Sequence, residues 1–114
     1  MAIVIRRAYD EPRDDDGLRV LVDRLWPRGL RKDGAAIDAW PKDAAPSTEL
    51  RHWFHEHGDF AAFAERYRDE LEAGEAGAAL AAALAPHEHV TFLTALREVE
   101  PSHASVLRDW IAAR

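Results

Sequence analysis

Apolar and polar residues alternate along this chain in two rhythms. Residues 2–6 (AIVIR) are short and β-branched and give way to a polar stretch, residues 10–17, which is the pattern of a strand entering an exposed loop. Residues 18–23 (LRVLVD) predict a second strand. It ends abruptly at Trp26-Pro27-Arg28-Gly29, where one residue lacks an N–H and another tolerates positive φ. Residues 37–40, closed by Pro41, predict a third. From Ser47 the period lengthens to about 3.6. Leu50, Trp53 and Phe54 share one face of a helix capped by Ser47 or Thr48 and ending near Gly58. Asp59 caps a second helix with Phe60, Phe63, Tyr67 and Leu71 on its apolar stripe. An Ala-rich third helix carries Leu80 and Leu84 and stops at Pro86. Residues 90–96 (VTFLTAL) are almost continuously apolar, as expected of a strand covered on both faces. Pro101 and Ser102 open a last helix that buries Val106, Leu107, Trp110 and Ile111.

Strands set among helices predict a single small α/β layered domain, with a mostly parallel sheet of about four strands flanked by helices. At 114 residues the chain suits one core better than two. Ligands of such sheets bind beyond the carboxyl ends of the strands, beside helix N-termini. Three segments qualify: residues 23–29, 45–48 and 94–103.

Composition narrows the chemistry. With 47% hydrophobic and 32% charged residues the chain lies in the globular range, which excludes a largely disordered protein. No window approaches the roughly 18 to 20 apolar residues of a membrane span, and residues 1–7 turn charged before a signal-type stretch develops, so a soluble, cytoplasmic protein is expected. The absence of cysteine removes disulfides, thiolate metal sites and thiol nucleophiles. A net charge of -6 argues against extended nucleic-acid binding and against an anionic membrane surface. Local charge differs: Arg19, Arg24, Arg28, Arg31 and Lys32 face only Asp23 between residues 19 and 32.

Within the three segments, Arg24 and Arg28 offer guanidinium forks suited to a phosphate or carboxylate. The same residues serve equally well to pin a loop through Asp23. Ser47 and Thr48 stand at a helix start, where free N–H groups receive an anion or simply a cap. Ser102 and His103 repeat that arrangement at the last helix, where the positive end of the helix dipole favours the neutral imidazole that a general base needs. His52, His55 and His57 form an H-x-x-H-E-H cluster, yet His57 is rotated about 200° from His55 on a helix, so the three cannot converge and no metal is expected. His87-Glu88-His89 reads as an exposed loop. Neither a Gly-rich phosphate loop nor a nucleophile elbow is present, and no cofactor is expected.

The runs Val22-Asp23-Arg24-Leu25-Trp26-Pro27-Arg28-Gly29 and Ala45-Pro46-Ser47-Thr48-Glu49-Leu50-Arg51 together resemble the domain of unknown function 488 family (DUF488), in its short YeaO-like branch. The resemblance spans nearly the whole chain and implies a small α/β protein whose family name records no activity. The motif positions it carries over are Asp23, Arg24, Pro27, Arg28, Pro46, Ser47 and His103. This chain departs from the pattern at Ser102, where relatives often show Asn, and after the last strand, where they tend to carry Tyr. The leading expectation is a small anionic ligand, phosphate-bearing or nucleotide-like, held by Arg24, Arg28, Ser47, Thr48 and Ser102, with His103 as acid or base and Asp23 as a second catalytic candidate, and with Asp23, Ser47 and His103 around one concavity. The alternatives are a non-catalytic module for an acidic partner or nucleic-acid end, and a structural or interaction protein.

Overall fold

The computed structural model describes residues 1–114. Three apolar runs become strands, β1 (Ala2–Arg7), β2 (Leu18–Leu21) and β3 (His89–Thr94), hydrogen-bonded in the order β1-β3-β2 with both pairings parallel. The strand last in sequence is therefore central. Its position explains its apolar run, since every residue from Val90 to Thr94 is buried. Ile5 and Val20 flank Phe92 in register.

Residues 37–40 do not make a fourth strand. Only Ala39 bridges to Val20. Asp38 limits the pairing: its carboxylate accepts the Arg19 N–H at 2.8 Å, where a neighbouring strand's carbonyl would sit, which leaves the backbone bonds from Leu21 N–H to Ala39 O at 2.9 Å and from the Asp38 and Ala39 N–H groups to Arg19 O at 2.8 and 3.2 Å.

The helical rhythm produces α1 (Thr48–His57), α2 (Phe60–Ala73), α3 (Ala76–Leu84) and α4 (His103–Ala112). Ser47 and Asp59 cap α1 and α2 by accepting from Leu50 N–H and Ala62 N–H, and Gly58 ends α1 at φ 66°. No helix is long and apolar enough to cross a membrane.

The two faces of the sheet are closed differently. Val20, Val22, Val90 and Phe92 join Leu50, Phe63, Leu71, Leu84 and Leu107 in one cluster of 17 buried residues, so the helices cover this face. Arg19, Leu21, Thr91 and Leu93 alternate to the other face, which loops close. There Thr91 Oγ1 donates to Asp16 O at 2.7 Å, and Arg19 reaches the Ala36 and Ala35 carbonyls at 2.9 and 3.1 Å. Asp16, itself 5% exposed, accepts from Arg6 at 3.1 Å, from Arg13 N–H at 2.9 Å and from Arg19. Gly17 is required beside it, because its φ is +65° and a Cβ would lie 2.0 Å from His89 O.

Candidate functional site

Past its last strand residue, β2 stays beside β3 for one more hydrogen bond, Val22 N–H to Leu93 O at 3.0 Å, and so delivers Asp23 to the carboxyl edge of the sheet. Asp23 meets two other segments there. One carboxylate oxygen accepts from His103 Nε2 at 2.8 Å, and the other accepts the Ala95 N–H at 2.8 Å. Its backbone carbonyl accepts the Trp40 indole N–H at 2.7 Å. Burial pushes the Asp23 carboxyl up, but the hydrogen bond and charge of His103 and the Ala95 N–H outweigh it and hold the group below the ordinary aspartate range. The ionised carboxylate makes His103 Nε2 the donor and fixes the ring.

His103 is held there by the start of α4. Ser102 Oγ accepts the Ala104 N–H at 3.1 Å and donates to Val99 O at 2.6 Å, while Ser102 N–H donates to Ser105 Oγ at 3.0 Å. The Ser102 hydroxyl proton is thus committed to a carbonyl, and its role is a cap. Ser47 is similarly engaged: its N–H donates to Glu70 Oε1 at 2.9 Å and its hydroxyl to Glu70 Oε2. A carboxylate from α2 already occupies the N-terminus of α1.

The two arginines of the first segment have different fates. Arg24 turns inward, its Nε donating to Pro46 O at 3.0 Å and its Nη2 to Ala45 O at 3.2 Å, and so ties the loop after β2 to the approach of α1. Arg28 is exposed, and its guanidinium has no hydrogen bond or ion pair, although its carbonyl accepts from Tyr9 Oη at 2.7 Å. Neither pairs with Asp23, whose partner is His103.

These segments surround a cavity of about 960 Å³ whose wall includes Asp23, Arg24, Arg28, Ser102 and His103. Ser47 and Thr48 lie outside the wall; Pro46 and Arg51 represent that region. Sequence reasoning missed Arg51 and Arg97, both exposed and both without an internal partner. Arg97 falls inside the segment after β3 that the strand-end rule selects, so it was findable. Arg51 closes the second motif run, but its place one turn into a helix gives no sign that it faces the cavity. Also missed was an aromatic side of the cavity, formed by Phe54, Phe60 and Phe63. Their spacing marks them as core, and Phe63 is indeed buried. His52 and His55 reach the cavity wall, whereas His57 turns back onto α1, its Nδ1 2.8 Å from Trp53 O and its ring stacked on Trp53. No group of three metal-type side chains assembles anywhere in the chain.

The arrangement offers an imidazole oriented by Asp23 and guanidiniums without an internal partner. Comparison with known proteins agrees with the motif reading. Residues 2–114 match the family model described as the inactive DUF488-N3 subclade. The chain is 44% identical over 112 residues to the uncharacterized protein YeaO of Escherichia coli (strain K12), covering 97% of each. It is 46% identical over 111 residues to the uncharacterized protein Rv3073c of Mycobacterium tuberculosis (strain ATCC 25618 / H37Rv), covering 96% of this chain and 93% of that one. No solved structure matches. With the strand-end motifs in place and the match running from the second residue to the last, this chain belongs to the DUF488 family.

Proposed function

We propose that this protein binds a small anionic ligand, phosphate-bearing or nucleotide-like, in the cavity at the carboxyl edge of its sheet, and does so without turning it over. The observation that carries this reading is the set Arg28, Arg51 and Arg97, three guanidiniums on one cavity with no partner inside the molecule, in a chain of net charge -6. An anion supplies the bidentate acceptor that such forks lack. His103 lends a further polar contact from a ring that Asp23 orients. Binding without turnover is supported by the capped Ser102 hydroxyl, by the absence of cysteine and by the description of the matching subclade as inactive.

Calorimetric titration with inorganic phosphate and with adenosine monophosphate tests the reading. Arg28→Ala and Arg97→Ala are each expected to weaken binding by about 1.5 to 3 kcal/mol, roughly 10- to 150-fold, through loss of a charge-assisted hydrogen bond. In urea melts Arg28→Ala should stay within about 0.5 kcal/mol of the parent. Arg24→Ala should lose about 1 to 3 kcal/mol of stability, because the Ala45 and Pro46 carbonyls lose their donor. Absence of anion uptake, or affinities unchanged in both arginine variants, removes the proposal. The 2.8 Å bond between His103 and Asp23 supports a second reading, acid-base chemistry on the bound ligand. Product formation that disappears in His103→Ala while binding persists would establish it.

A further inference from the structure

The cavity is much larger than a bare anion needs, and much of its wall is apolar. At about 960 Å³ it falls at the upper end of the roughly 300 to 1,000 Å³ that enclose organic ligands. Phe54, Phe60 and Phe63 form one side, with Phe54 and Phe63 ring centroids 4.7 Å apart and the Phe54 and Phe60 rings at 72° to each other. Phe54 and Phe60 are only half-buried, although both pack on the main core. Leu25, on the loop after β2, and Leu96, on the loop after β3, also line the cavity. They are 61% and 45% exposed, and are two of the five large hydrophobic side chains that the chain leaves in water. Single exposed leucines are ordinary. Two of them on separate loops, lining the cavity that also carries the phenylalanines and the free guanidiniums, give one site both apolar surface and unpaired charge.

We infer that the ligand's anionic group is carried on a planar aromatic ring, an aryl or nucleobase-bearing phosphate, with the ring against the apolar lining that Phe54, Phe60, Leu25 and Leu96 provide. The inference rests on the anion reading above and extends it to the other half of the cavity. A ring in that place covers the two leucines and presents its face or edge to rings already set at an angle, an arrangement aromatic groups favour. Arg28, Arg51 and Arg97 are exposed, so a phosphate they hold remains partly hydrated. A purely aliphatic body would use the same area but gain nothing from the angled rings, and a sugar would leave its hydroxyls against phenyl carbons without partners.

Two matched pairs of probes test the inference: phenyl phosphate against inorganic phosphate, and adenosine monophosphate against ribose 5-phosphate. In at least one pair the ring-bearing member should bind about tenfold or more tighter. The pair that shows the gain distinguishes an aryl from a nucleobase source. Phe54→Leu, which keeps an apolar side chain of nearly the same bulk, should remove most of that gain while leaving the ring-less probe unchanged; Leu25→Ser, at an exposed position, provides a second variant that does not touch the core. Arg28→Ala should weaken both members of each pair alike. If phosphate and ribose 5-phosphate bind but the ring adds nothing in either pair, the ring inference fails and the anion site stands. If none of the four binds, both fail together.

Discussion

Asp23 shows how much organisation one carboxylate supplies at this edge of the sheet. Its two oxygens hold the first residue of α4 and the first turn after β3, and its own carbonyl holds Trp40. Removing the side chain in Asp23→Ala leaves a backbone N–H and an imidazole unpaired at half-buried positions, a loss of about 1 to 3 kcal/mol of unfolding free energy. The pH dependence has a defined sign. Because the folded protein holds this carboxyl below its ordinary range, the ionised form contributes stability that is fully present above the unfolded pKa, about 3.9, and that fades as pH falls through the lower folded value. Urea melts of the parent and of Asp23→Asn should therefore differ most at neutral pH and converge below about pH 4. A difference that stays constant from pH 7 to pH 3 would count against this account. The sequence brings Asp23 and His103 to the same edge of the sheet, but not to a direct hydrogen bond. Arg24 and Arg28 are nearer in sequence than His103, and only the return of β3 to the centre of the sheet brings α4 within reach.

Among the elements, those with chemical punctuation were the ones read correctly. Ser47, Gly58, Asp59 and Pro86 each mark a helix end by a local preference that the surroundings did not override. The central strand announced itself by being apolar on both faces. Residues 37–40 show the reverse, since whether a short apolar run pairs as a strand depends on its neighbour's free hydrogen bonds, and Asp38 takes one of them with its side chain. The start of α1 belongs to the same class. The sequence predicts a cap at Ser47 or Thr48, but the link of Ser47 to Glu70, which lies off the apolar stripe of Phe60, Phe63, Tyr67 and Leu71, depends on the packing of α1 on α2. Ser47→Ala and Glu70→Ala should each destabilise the protein, and in a double-mutant cycle they should couple by roughly 0.5 to 3 kcal/mol. Thr48→Ala, exposed and one residue further on, should change stability by less than about 0.5 kcal/mol. Additive effects of Ser47→Ala and Glu70→Ala would show that the link contributes nothing.

For the whole molecule, the rule that ligands gather beyond the carboxyl ends of parallel strands located the cavity from the sequence, and local positive charge pointed to the same edge. The full set of free arginines was not legible, because Arg28, Arg51 and Arg97 come from three separate loops and helices and no linear pattern groups them. The asymmetry between the two sheet faces was likewise hidden. One face rests on a hydrophobic layer, and the other on Asp16 with Arg6 and Arg19, a buried charge cluster enclosed by loops. Burial raises the Asp16 carboxyl, yet the Arg13 N–H and the two arginines outweigh it, so this cluster too has its full strength only above the ordinary aspartate range. Acid should accordingly open the molecule from one side. Below about pH 4, amides in residues 8–17 and 33–38 should exchange hydrogen for deuterium, after correction for intrinsic rates, well before those of α2 and β3, and Asp16→Asn should produce the same order at pH 7. Uniform exchange across the chain would contradict it. The shell is not mechanically separate from the cavity, since Tyr9, on the turn after β1, holds the Arg28 carbonyl at 2.7 Å. Loosening of the loop-closed face by protonation of Asp16 should therefore reach the turn that carries Arg28, one of the cavity's exposed charges, with Tyr9 as the latch between them.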